Sequence, residues 1–351
     1  MKDIMIFHHN KYPLMSAQDF VKLIYQNEFG CGHFISDSSK SFERLKNELN
    51  TCKTSSNVIF EDIGNSFVRL YLSQNIEDFL SLESINNMFV SSAQKTGSLD
   101  SFKEKLFAFW QLCQDDAINL NKSEVASFLR EYQDSGFPML SHSEIYHNAY
   151  SPSYRVMPSY FKFYFDVISK IDKLLKSKDK LIIAIDGRCA SGKSTLSDIL
   201  KKVFNADVIP MDDFFLPPKM RTHERLAEAG GNVDYERFKL EVLTPYFLGK
   251  PVTYSPFSCQ LNQLTDAISF GGKSLTIIDG SYSTHQYFGD IYDLKLFLTA
   301  DYQTQCKRIL NRNGEEMLKN FKTRWIPMEE NYFTAQNTMK NADIVIDTAT
   351  I

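Results

Sequence analysis

No Cys-x-x-Cys pair occurs in this chain; its six cysteines, Cys31, Cys52, Cys113, Cys189, Cys259 and Cys306, are scattered. That spacing supports neither a zinc site nor a disulfide framework, and the thiols read as reduced, as in a cytoplasm. No run of about 18 apolar residues occurs, so the sequence offers no transmembrane helix. The opening residues, MKDIMIFHHNKYP, lack the apolar core of a signal peptide. Positive charge is not in excess either: the formal net charge is −4, which gives no broad basic field to draw in nucleic acid or an anionic membrane. Internal repeats and low-complexity tracts are also lacking. The expectation is a soluble, cytoplasmic protein that acts on a small molecule, with no nucleic-acid or membrane partner. Self-association into a homo-oligomer stays open.

What is present is enough chain for two cores. A length of 351 residues, 43% hydrophobic and 23% charged, suggests about two domains. Over the first half the apolar spacing is helical: SAQDFVKLIYQNEF, IEDFLSLESINNMFV and SLDSFKEKLFAFWQLCQDDAINL. Between the first two lies VIFEDIGNSFVRLYL, whose β-rich flanks around Gly64-Asn65 predict a tight hairpin. The segment NEFGCGHF, Asn27 to Phe34, forms either a helix C-cap and turn or a close backbone approach to a ligand. SGFPMLSHSEIYHNAYSPSYRVMPSY, rich in Pro, Ser and Tyr, has the texture of a crossover or linker. From Lys180 onward, short apolar runs (LIIAID, ADVIPM, SLTIID, LKLFLT, DIVID) alternate with helical segments. This alternation implies a parallel sheet covered on both faces. The expected fold is α/β: a domain over residues 156–351 with a parallel five-stranded sheet covered by helices, preceded by a mainly α-helical domain over residues 1–155 with a small β element.

The first of those runs opens the most informative stretch. Gly187-Arg188-Cys189-Ala190-Ser191-Gly192-Lys193-Ser194 fits G-x-x-x-x-G-K-[ST] at every specified position. A strand precedes it, and an amphipathic helix beginning TLSDILKKVF follows. In this order of parts the glycines let backbone N–H groups turn toward phosphates, and the helix presents its positive end. Lys193 reaches the β- and γ-phosphates, and the Ser194 hydroxyl ligates Mg²⁺. Residues Gly187 to Thr195 are therefore the candidate cradle for ATP. Cys189 lies within it, where an oxidised sulfur would crowd the phosphates.

No D-x-x-G follows Lys193 and no N-K-x-D lies downstream of it, which argues against a GTPase switch. Instead VIPMDDFFLPP places two carboxylates after the next apolar run. Phosphoryl transfer to a hydroxyl needs a carboxylate that orients the acceptor and takes its proton. Asp212 fits that role, and its neighbour Asp213 is assigned to acceptor binding, because adjacent side chains do not point at one atom. SLTIIDG ends in Asp279, where an acid acts on Mg²⁺ directly or through water. Later, CKRILNRNGEEMLKNFKTRW carries cations able to close over a transferring phosphoryl group, or to form a solvated helix face.

With the P-loop, MDDFF, NVDYERF, IIDGSY and RILNRNG in this order, residues from about 180 to 351 resemble the uridine kinase and phosphoribulokinase family of P-loop kinases. The resemblance puts the acceptor-activating role on Asp212, matches Asp234 to an aspartate that holds ribose hydroxyls, and aligns the family's acid after the Walker B strand with Asp279. It matches the lid arginines to Arg308 and Arg312. Arg221, Arg225, Tyr254 and Tyr282 are candidates to line an acceptor pocket, with a packing or surface role as the alternative for each. Tyr235 stands where nucleoside kinases have histidine, and their RGR lid motif is missing, so the resemblance does not fix uridine as acceptor. It implies ATP and Mg²⁺ as cofactors and a nucleoside-like or other ribose- or polyol-type acceptor. An ATP-binding regulator, with the N-terminal domain signalling occupancy, is the alternative.

Overall fold

Asn65 and Ser66 both have positive φ, 52° and 60°, the backbone of a two-residue turn whose twist matches paired strands. They join β1 (Phe60–Gly64) to β2 (Phe67–Tyr71), which pair antiparallel as the Gly64-Asn65 signal predicts. The computed structural model describes residues 1–31, 35, 37–52, 58–93 and 97–351. A third strand, β3 (Tyr154–Pro158), adds to β2 with Phe67 opposite Pro158 and Tyr71 opposite Tyr154. It comes from the stretch read as a linker, whose Pro and Ser content hides the alternating YRVMP.

Around this sheet lie α1 (Lys2–Lys11), α2 (Ala17–Phe29), α3 (Ser38–Thr51), α4 (Leu82–Ser91), α5 (Leu99–Gln114), α6 (Lys122–Asp134), α7 (Glu144–Tyr150), α8 (Tyr160–Phe163) and α9 (Phe165–Leu175). Ser16 caps α2 in a reciprocal box with Asp19. Gly30 ends the helix at φ 61°, its N–H bonded to Gln26 O, so this part of NEFGCGHF is a C-cap; Gly32, His33 and Phe34 lie outside the described residues. The core gathers Phe20, Leu23 and Ile24 of α2 with Phe102, Phe109 and Ile63, all fully buried. The first compact unit runs Met1–Asp172 and the second Lys173–Ile351. The boundary expected at 155 falls inside β3, which cannot leave the sheet it completes.

The second unit is an α/β P-loop fold. Its sheet is parallel throughout and ordered β12-β11-β4-β10-β5. The strands are β4 (Leu181–Gly187), β5 (Asp207–Pro210), β10 (Leu275–Asp279), β11 (Leu294–Thr299) and β12 (Ile344–Asp347). Each corresponds to one of the five apolar runs. Between β5 and β10 the chain forms two small ribbons, β6 (Val252–Tyr254) with β9 (Ile268–Phe270) and β7 (Phe257–Ser258) with β8 (Gln263–Leu264).

All seven residues of β4 are buried, the pattern of a central strand covered on both faces. Helix α10 (Lys193–Phe204) packs Leu196, Ile199, Leu200 and Val203 on the sheet at helical spacing. From β4 the chain goes first to the β10 and β5 side and later to β11 on the other. That makes the carboxyl end of β4 a switch point, where open α/β sheets bind ligands.

Candidate active site

Three strand ends converge on that switch point. Asp279 is level with Ile185 on β4 and with Pro210 on β5, so the P-loop, Asp212 and Asp279 emerge at one edge. Gly187 has φ 134°, and a Cβ there would lie 2.0 Å from Leu298 O; only glycine lets β4 and β11 approach so closely. Ala190 (φ 55°) and Gly192 (φ 90°) turn the loop inward. Residues Cys189 to Thr195, with Asp212, Asp279, Tyr282 and Arg312, line a cleft of about 820 Å³.

The phosphate loop is held from outside. Arg188 spends its guanidinium on Glu330, at 2.6 and 3.0 Å, and on Thr299 Oγ1 at 2.6 Å, so it contributes backbone rather than charge. The Cys189 N–H donates to Glu329 Oε2 at 2.8 Å, and Ser281 Oγ lies 2.8 Å from Glu329 Oε1. Glu329 belongs to the helix Ile326–Ala335 and is buried. Lys193 Nζ donates to the carbonyls of Gly187 and Arg188, at 2.8 and 2.9 Å, which holds the ammonium beside the loop. The Cys189 thiol is 7% exposed and is raised by burial first and by Glu329 next. Burial there disfavours the thiolate form.

Asp212 sits in a short 3₁₀ turn, Met211–Phe214. Its side chain opens to solvent in the cleft, yet the walls strip enough water to raise its carboxyl; Lys193 and Arg312 oppose that shift. Both cations therefore act on this carboxylate. Asp279 is also raised by burial, against Lys193 and the hydroxyls of Ser194 and Ser197. Its Oδ1 is buried without a hydrogen-bond partner among the described residues. An orphaned carboxylate oxygen near a serine hydroxyl fits a hard divalent cation with oxygen ligands.

No protein-family model matches the chain, and no curated protein matches it. Among solved structures, a possible uridine kinase from Bacillus stearothermophilus shares 18% identity at a TM-score of 0.40, over 52% of this chain and all of that one. An uncharacterized protein from Eubacterium ventriosum shares 16% at 0.30, and TT1252 from Thermus thermophilus 18% at 0.27, each over 49% of this chain and 90% of the other. The P-loop fold assignment rests on this chain's own strand order, register and loop geometry.

Other expected site residues separate into two groups. Tyr282 lines the cleft with φ 75°, a strained backbone for a bulky residue, pinned by its N–H on Asp186 Oδ1 at 3.2 Å. Asp213 lies outside the cleft lining and accepts the Tyr254 hydroxyl at 2.7 Å. Asp234 is spent as the cap of a short helix, Tyr235–Phe238, accepting Arg237 N at 3.0 Å. Arg225 forms two 2.7 Å bonds to Glu236 and stacks on Tyr235 at 3.8 Å. Arg308 donates to Ala190 O, Thr348 and Ile351 O, a brace on the loop. Asp234, Arg225, Tyr254 and Arg308 do not reach the cleft lining, because each finds partners within its own loop or brace.

The cleft also holds Arg221, Arg324, Trp325 and Asn232. Asn232 is buried, its amide beside Tyr282. Glu329 escapes sequence reading because its partner, Cys189, is 140 residues away.

Proposed function

We propose that the chain is an ATP- and Mg²⁺-dependent kinase that transfers the γ-phosphoryl group to a hydroxyl of a small metabolite of nucleoside, ribose or polyol type. The observation that carries this reading is a carboxylate, Asp212, standing in the same cleft as the phosphate loop and influenced by both Lys193 and Arg312. A protein that only senses nucleotide needs no such group.

In this reading the loop amides and Lys193 hold the phosphates, and Asp212 orients the acceptor hydroxyl and accepts its proton. Ser194 and Asp279 are the residues that would hold Mg²⁺, which supplies charge neutralisation on the phosphates when bound. Arg312 stabilises the negative charge on the transferring group. Tyr282, Asn232, Arg221 and Trp325 supply aromatic and polar surface for the acceptor. The test is ADP release from Mg-ATP against a library of nucleosides, sugars, polyols and vitamins, with Asp212→Asn alongside. An acceptor should raise ADP release in the wild type, and the variant should lose about 10²-fold or more in turnover while still binding ATP. Tight ATP binding with no stimulating acceptor would overturn the kinase reading in favour of a nucleotide-dependent regulator.

A further inference from the structure

The first unit contains a second site that the kinase reading does not use. A pocket of about 320 Å³ lies against α2, α3 and β3. Gln26, His142 and Tyr154 form its floor and belong to a longer chain of hydrogen bonds behind it. Asp19 Oδ1 lies 2.9 Å from His142 Nδ1, and His142 Nε2 lies 2.6 Å from the Tyr154 hydroxyl. Gln26 Nε2 donates to that hydroxyl at 3.1 Å, while its Oε1 accepts from Arg69 Nε and Nη2 at 3.2 and 2.8 Å. Arg69 ends the chain on Glu61, 3.2 Å away.

Each link fixes the next. Asp19 also accepts from Ser143 N and from the hydroxyls of Ser16 and Ser143, so it stays ionised and takes the proton-bearing Nδ1 of a neutral His142. Nε2 is then the acceptor, and Tyr154 donates to it. Burial first, with Arg69 and Lys22 acting in the same direction, holds His142 down at about 4, which agrees with the neutral ring. The charges behind the floor cancel: Glu61 faces Arg69 and Lys11, and Asp19 supplies the second negative charge.

The walls are not balanced. Among the described residues, Lys22, Lys40, Arg44 and Arg155 line the pocket against Asp37 and Glu48. Glu48 pairs with Arg155 at 2.8 Å, and Asp37 Oδ1 is occupied by the amides that begin α3. Lys40 and Arg44 are exposed on the rim, while Lys22 is drawn inward with Nζ on Leu140 O at 2.9 Å. Burial first, and Arg69 next, lower Lys22 to about 8, against the opposing pull of Asp19.

We propose that this pocket binds a small phosphorylated organic molecule, its phosphate held by Lys40, Arg44 and Lys22 and its hydroxyls meeting the His142–Tyr154 floor. Size and charge set the class. At about 30 Å³ for each water's share of liquid, the volume suits a ligand of roughly ten to fifteen non-hydrogen atoms. A wall surplus of two cations matches a phosphate monoester, about −1.5 to −2 at neutral pH, better than a single carboxylate.

Calorimetric titration of the full chain with ribose 5-phosphate, in saturating Mg-ADP so that the phosphate loop is occupied, tests this. We expect saturable binding that Lys40→Gln with Arg44→Gln weakens at least about tenfold; both residues are exposed, and an unchanged melting temperature checks that the fold is kept. Ribose should give no saturable heat. Absence of binding up to about 10 mM, binding indifferent to the double substitution, or equal affinity for inorganic phosphate alone would each overturn the proposal. None of these outcomes depends on whether the cleft of the second unit turns over ATP.

Discussion

Carboxyls held above their ordinary range mark the cleft residue by residue: Asp212, Asp279 and Glu329 are each raised, with loss of hydration the first cause. Such a group takes up a proton more readily folded than unfolded, so the folded state loses stability as pH rises from the ordinary carboxylate range through the raised value. Asp279 should therefore cost stability at neutral pH in return for function. In metal-free buffer at pH 7, Asp279→Asn is expected to raise the melting temperature of the second unit by about 2–4 °C, the equivalent of about 1 kcal/mol. Toward pH 4 that advantage should shrink. Turnover should fall by about 10²-fold. A variant that melts lower than wild type at pH 7 would show that Asp279 is a structural partner rather than a strained ligand. This scale also shows what local sequence reveals. Lys193, Ser194, Asp212 and Asp279 were legible because strand, glycine turn and helix fix where they point. Asp234 and Arg225 were not, because a carboxylate three residues before an amide serves equally well as a helix cap, and an arginine goes to whichever acid the fold brings near.

The helix that begins at Tyr302 carries both arginines matched to a lid, yet they part ways. This helix (Tyr302–Asn320) breaks at Gly314, whose φ is 80° and ψ 176°. Arg308, one turn before Arg312, faces the P-loop carbonyl of Ala190 and the backbone carbonyls of Thr348 and Ile351. Arg312 lies in the cleft, its Nε on Asn313 Oδ1 at 2.8 Å. Four-residue spacing predicts one face for both, but it does not say that the C-terminal strand's tail will capture the first. Steady-state kinetics and melting of the two alanine variants separate the roles. Arg308→Ala should lower the melting temperature by several degrees and raise the KM for ATP, since it frees a brace with several hydrogen bonds to charge. Arg312→Ala should lower kcat by about 10- to 10³-fold with little change in melting. Equal melting losses would return both residues to the scaffold. The five sheet strands were legible because continuous apolar runs report double-sided burial. β3 and the ribbons were not, being short, partly exposed and polar in their flanks.

The division of the whole molecule into two compact units leads to a test of where the first one ends. The sequence changes texture at Lys180, and the first unit closes on residues beyond 155. Strand β3 contributes the third strand of the small sheet. Further on, Asp172 accepts Ser81 N at 2.8 Å and Ser81 Oγ at 2.6 Å, with the Ser84 hydroxyl as a third donor. That carboxylate thus fastens α9 to the N-terminus of α4, where negative charge also favours the helix dipole. Ile168 and Ile171 of α9 are fully buried. A fragment of residues 1–155 keeps only the first two residues of β3 and none of these contacts, whereas residues 1–177 keep them all. Expressed alone, the longer fragment should unfold in a single cooperative transition, and the shorter should show a broad, weakly cooperative one with exposed apolar surface. Because the phosphorylated-ligand pocket lies wholly within residues 22–156, the same pair of fragments separates folding from binding. The longer fragment should retain ribose 5-phosphate affinity, and Asp172→Ala within it should lower the melting temperature without removing any group that lines the pocket. A cooperative, fully native 1–155 fragment would place the boundary back at the expected residue 155.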